Sequence, residues 1–138
     1  MDDEQTEQQM PARPAPSVRV QDWAGELAVV ELGGELDLLA AIALGSAVDQ
    51  VTGGFWPRVV LDLRTADFID AGGLGLLVRA RRRTHAHGGR MAAVATERSV
   101  LRILHASGVA RLIPLAGSVP DAVARLTADR TADPTADR

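Results

Sequence analysis

The chain contains no cysteine, no lysine and no tyrosine, and only two tryptophans and two phenylalanines. Without cysteine it has neither a disulfide nor a thiolate metal ligand, and a reducing cytoplasm is the expected compartment. Aromatic residues make up 3% of the sequence, too few for the stacking platforms that hold single-stranded nucleic acid. All 15 cationic residues are arginine, a choice that reads as coding-composition bias, and a formal charge of −3 argues against a general nucleic-acid binder. No apolar stretch approaches the roughly 18 residues that a membrane span requires. The acidic start Met1-Asp2-Asp3-Glu4 is the reverse of a secretory leader. These absences predict a soluble, cytoplasmic protein with no membrane insertion and no direct contact with nucleic acid.

At 138 residues, 46% of them hydrophobic, the chain can bury one core without staples. Met1 to Ser17 is polar, acidic and proline-spaced, and Thr127 to Arg138 repeats Thr-Ala-Asp, so both ends read as disordered. The domain between them is expected from Val18 to Leu126.

Val18–Trp23 and Leu27–Leu32 read as strands joined by a hairpin at Ala24-Gly25-Glu26. Leu38–Val51 has helical spacing, with Leu39, Ile42, Ala43 and Ala47 as its apolar positions, closed by Gly53-Gly54. Val59–Leu63 is a branched apolar run, as expected of a strand covered on both faces. A helix from Asp70 to His87, with Leu74, Leu77 and Val78 inward, ends at Gly88-Gly89.

Further on come a strand Met91–Val94, a helix capped by Thr96 and running to Ala106, and a strand Leu112–Leu115. Ser118-Val119-Pro120-Asp121 is a capping box for a last helix to Leu126. The order β-β-α-β-α-β-α-β-α implies right-handed crossovers and a small mixed α/β sheet flanked by about four helices.

The most informative segment is Arg58 to Leu77, where the buried strand leads through a short turn into Asp70-Ala71-Gly72-Gly73-Leu74-Gly75. Asp70 can cap the helix and sits at the positive end of its dipole. The turn holds no Ser, Thr, Cys or His, so no nucleophile or phosphorylatable hydroxyl follows the Asp. Its glycines lack the G-x-x-x-x-G-K-[ST] and G-x-G-x-x-G patterns of phosphate cradles.

The segment resembles the signature of STAS domains, the fold of bacterial anti-sigma-factor antagonists, usually written Asp-Ser-Ser/Thr-Gly-Leu-Gly. Gly34-Glu35-Leu36-Asp37 matches the family's G-E-[LI]-D, and Leu101 to Leu115 matches its late helix-to-strand stretch. The likeness spans Val18 to Leu126 and implies a STAS-like fold, with an edge hairpin and helices mainly on one face.

By that resemblance the protein is a non-enzymatic binding module without a cofactor. Its partner would be an anti-sigma factor of the serine-kinase (GHKL ATPase) type, whose capture releases a sigma factor. In the family the Ser after the Asp is phosphorylated and binding is switched off; here that position is Ala71 and the next is Gly72. The docking residues implied are Asp70, Ala71, Gly72, Gly73 and Leu74, with Glu35 and Asp37 in the neighbouring loop. The alternative role is a STAS scaffold subunit within a larger signalling or lipid-transport complex.

Two other constellations carry less. Arg79, Arg81, Arg82 and Arg83 with His85 and His87 read as a solvated helix end, because histidines at i and i+2 diverge and cannot chelate one ion. Glu35 and Asp37 could be paired catalytic carboxylates, but no histidine or metal set accompanies them, and helix capping by Asp37 is the simpler role.

Overall fold

The computed structural model describes residues 15–23, 26–53, 56 and 58–132, with side chains to Thr127. In chain order the elements are β1 (Ser17–Trp23), β2 (Leu27–Leu36), α1 (Leu38–Val51), β3 (Arg58–Asp62), β4 (Ala66–Ile69), α2 (Ala71–Ala86), β5 (Arg90–Val94), α3 (Arg98–Ala106), α4 (Val109–Leu112), β6 (Leu115–Ala116) and α5 (Val119–Ala132). The expected turn residues Ala24-Gly25, the arm to residue 14, Gly54 and residues 133–138 lie outside the described residues.

The sheet runs β1-β2-β3-β5-β6, antiparallel between β1 and β2 and parallel thereafter. Its helix-side core gathers Val30, Leu32, Val59, Leu61, Leu63 and Ala93 against Leu44, Val48, Leu77 and Leu104. On the other face Val29, Val60 and Val94 pack against Val119, Ala122 and Leu126 of α5. Every residue of β3 is buried, as its unbroken apolar run requires. Helices thus lie mainly on one face, with α5 alone opposite.

Five details depart from the sequence reading. The segment read as a turn before Asp70 contains β4, which pairs with the far end of β2 across a bulge at Gly34/Glu35. Its Ala-Asp-Phe-Ile is too short and mixed to announce a strand; it exists because β2 is long enough to pair with β3 through one half and β4 through the other.

Thr96 does not cap α3, whose cap position is Glu97, with no side-chain hydrogen bond. The strand expected at Leu112–Leu115 is the end of the one-turn helix α4 followed by β6, because Gly108, at φ +86°, turns the chain into a helical turn and pairing with β5 starts only at the Pro114 carbonyl, which accepts from Ala93 at 2.9 Å. At the other end α5 continues past Leu126 to Ala132.

The fifth departure matters most. The inward face of α1 is Ala40, Leu44, Val48 and Val51. Leu39 and Ile42, two of the apolar positions that gave the helical spacing, are each 71% exposed, and Leu38 is 62% exposed. The helix is apolar around most of its circumference, so spacing alone left two faces equally plausible, and the fit of small Ala40 against the sheet decides between them. In α2 the buried row is Gly73, Leu76, Leu77, Ala80 and Thr84, with Leu74 and Val78 at its margin.

Candidate functional site

β2 and β4 run side by side, Leu36 opposite Ile69, and each delivers an aspartate to the start of a helix. Asp37 accepts from the Ala40 N–H at 2.9 Å. Asp70 accepts from Gly72 at 2.8 Å and from Gly73 at 3.3 Å. Both side chains satisfy amides that the helix itself leaves unpaired, and two positive helix ends are brought together at one rim of the sheet.

Glu35 is still within β2 rather than in a turn, opposite Phe68. Glu35, Asp37, Asp70 and Phe68 line a cavity of about 330 Å3. Phe68 is 45% exposed, an aromatic face beside carboxylates that suits a cationic group.

The Ala71 side chain stands exposed at the outer first turn of α2, and Leu74 is half-buried. Gly72 and Gly73 face inward for a steric reason. A Cβ at Gly72 would lie 2.5 Å from the Leu38 backbone, and one at Gly73 would meet the Leu36 carbonyl oxygen. Gly72, which like Ala71 departs from the resembling signature, is therefore a contact through which the first turn of α1 rests on the first turn of α2.

The structure thus gathers Glu35, Asp37, Asp70, Ala71 and Gly72 at one rim, and sets Gly73 and Leu74 behind them as support. Sequence reasoning missed Phe68 and the ridge of Leu38, Leu39 and Ile42, which join the same surface. The signal was present as large apolar residues immediately after a helix-capping aspartate, a place where solvent exposure is usual.

The arginines of α2 are less free than a solvated end. Arg79 donates twice to Asp49 at 2.8 and 2.7 Å, Arg83 donates to the Asp49 carbonyl at 3.1 Å, and Arg81 donates to the Leu112 carbonyl at 2.9 Å. The Arg79 hydrogen bonds lower the Asp49 pKa, outweighing its partial burial, with the Arg83 charge assisting. Burial, then the Arg81 and Arg90 charges, hold His85 below the ordinary histidine value.

On the opposite sheet face Asp62 is buried. Burial alone would raise its pKa, but hydrogen bonds from the Arg64 guanidinium at 2.9 and 2.8 Å and from its backbone at 3.1 Å bring it below the usual value. Among the described residues no group of three or more His, Asp or Glu is placed to hold a metal ion, and no helix is long and apolar enough to cross a membrane.

Two aspartate-capped helices thus start at the ends of adjacent parallel strands, in a sheet edged by an antiparallel strand pair. The family model of the STAS domain matches residues 15–122, and the chain belongs to that family. Among solved structures it is similar to an anti-sigma factor antagonist from Mycobacterium paratuberculosis, at 27% identity and a TM-score of 0.75, covering 82% of this chain and 95% of that one.

The fold is shared with the anti-sigma factor antagonist SpoIIAA in its unphosphorylated form, at 21% identity and a TM-score of 0.69, covering 81% and 97%. It is shared also with part of the murine Slc26a9 anion transporter, at 16% identity and a TM-score of 0.66, covering 92% of this chain but 24% of the transporter. None of the curated proteins searched matches the chain.

Proposed function

We propose that this STAS domain is a non-enzymatic anti-sigma factor antagonist that acts by mass action, binding an anti-sigma factor of the serine-kinase type and so releasing a sigma factor for transcription. The observation that carries the reading is the rim itself. Asp70, Asp37 and Glu35 converge with an exposed Phe68 and an exposed Ala71, on a chain whose similarity to an anti-sigma factor antagonist covers nearly all of that relative.

The same rim explains why an added phosphate would switch binding off. A phosphate on the residue after Asp70 would add about two negative charges beside existing carboxylates. Moving such a complex from 99:1 to 1:99 takes roughly 5.5 kcal/mol of differential binding. Ala71 has no hydroxyl to carry that phosphate, so the domain acts as a permanently competent antagonist, set by its abundance or by competition.

The test is affinity capture and calorimetric titration with kinase-type anti-sigma factors from the native cytoplasm, wild type against Ala71→Asp. The reading expects binding by wild type and loss in Ala71→Asp, which places a carboxylate where the family carries phosphate. Equal capture by both proteins would remove the rim from the interface and leave the scaffold role, which the transporter likeness supports only at the level of fold.

A further inference from the structure

Gly45 in the middle of α1 and Gly75 in the second turn of α2 are not explained by helix packing. A Cβ at either would meet nothing within 4 Å, whereas a glycine inside a helix costs about 1 kcal/mol relative to alanine. With Ala41, Gly72 and Leu76 they line an open groove of about 600 Å3 between the two helices. One wall is Ala41, Gly45 and Asp49 of α1, the helix that also carries the exposed Leu38 and Ile42, and the other is Gly72, Leu76, Arg79 and Arg83 of α2. From Gly72 to Arg83 the groove is about 16 Å long, three helical turns.

Its two ends differ in charge. One opens beside Glu35, Asp37 and Asp70, with the exposed ridge of Leu38, Leu39 and Ile42 between. At the other, one carboxylate, Asp49, serves two guanidiniums, Arg79 at 2.7 Å and Arg83 at 3.3 Å, whose side chains are 58% and 37% exposed. Among the described residues that end carries more positive than negative charge.

We infer that the groove seats an amphipathic helix of the anti-sigma partner. The helix lays its apolar stripe over Leu39, Ile42 and the glycine floor, points an acidic side chain at Arg79 and Arg83, and points a basic one toward Asp70. The missing side chains at Gly45 and Gly75 make room for the larger ones of the incoming helix, the usual way a helix docks in a groove. This surface rests on the antagonist reading and extends it beyond the rim, giving the complex a second anchor that a charge at position 71 does not touch.

The test titrates each purified GHKL-type anti-sigma ATPase of the source cell, with ADP bound, into wild type, Gly75→Phe, Ile42→Asp and Arg79→Glu. Gly75→Phe fills the groove from a position with open space around it, and Ile42 is mostly exposed, so thermal midpoints stay near wild type. The expected result is that wild type binds one ATPase and each variant raises the dissociation constant about tenfold or more, the loss typical of an interface anchor.

Wild-type binding that Gly75→Phe and Ile42→Asp leave unchanged would overturn the groove and spare the antagonist reading. Failure of every ATPase to bind wild type would overturn both.

Discussion

Replacing Gly72 by alanine and Gly75 by alanine makes the same chemical change three residues apart on one helix, and the structure expects opposite signs. At Gly75 the new methyl enters open space, so only the gain in helix propensity remains, about 0.5–1 kcal/mol. At Gly72 the Cβ falls 2.5 Å from the Cα and amide nitrogen of Leu38, where comfortable contact is about 3.5–4.0 Å. Relief requires α1 to withdraw by about 1 Å, and overpacking of this kind costs about 1–3 kcal/mol, more than the propensity returns.

The propensity gain is common to both, so the two variants should differ by about 1–3 kcal/mol, which for a domain of this size separates their thermal midpoints by about 3–12 °C. Circular dichroism melts and urea titrations with unchanged slopes would read this directly. Equal midpoints, or a Gly72→Ala protein more stable than wild type, would refute the close approach of the two helices.

The same geometry bears on the switch. Ala71 is exposed, so Ala71→Ser fits without strain, whereas Gly72→Ser meets the Leu38 backbone. Only the first of the family's two hydroxyl positions is structurally open here.

Three further outcomes follow from other parts of the molecule. Incubation with a kinase-type anti-sigma factor and ATP should add one phosphate to Ala71→Ser and none to wild type at that turn, read by intact mass; stoichiometric phosphate on the wild-type turn would contradict the reading. Leu44→Ala should cost about 2–5 kcal/mol as a buried truncation, and Leu39→Ala less than about 0.5 kcal/mol as a surface change; the reverse ranking in urea melts would mean that α1 is rotated. The folded-state pKa values of Asp49 and Asp62 are both depressed, so their contribution is present above the unfolded carboxylate value of about 3.9 and is lost as pH falls below it through the folded values. Asp62→Asn should flatten the fall in stability between pH 5 and pH 2 in denaturant titrations, while an unchanged slope would assign the acid sensitivity elsewhere.

What could be read from the sequence follows a physical divide. Strands buried on both faces and helices closed by a capping aspartate or a left-handed glycine are local facts. β3, the Asp37 and Asp70 caps and the end of α2 at Gly88 all fall within a residue or two of expectation. The elements that depend on distant partners were hidden. β4 is four residues of mixed polarity that become a strand only because β2 overshoots β3, and the core face of α1 is chosen by what lies beneath it.

The candidate site shows the same split: the acidic residues were legible as motif letters, but Phe68 and the Leu38–Ile42 ridge become part of it only once β4 and α1 are placed.

Under the proposed antagonist role, the exposed face of α1 decides how a partner would be held. A helix whose outer row were polar would leave the rim as a small acidic patch, and surface charge pairs of that kind contribute little, about 0–1 kcal/mol each. Burying Leu38, Leu39 and Ile42 instead removes exposed apolar surface worth about 25 cal/mol per Å2, while the carboxylates set orientation and encounter rate. On this division of labour Ile42→Asp should slow association little and speed dissociation strongly. Glu35→Gln with Asp37→Asn should do the opposite, with a loss that shrinks as salt is raised. Stopped-flow or surface-binding kinetics at two ionic strengths separate the two, and a salt-sensitive Ile42→Asp defect confined to the association rate would show that charge, not apolar burial, holds the complex together.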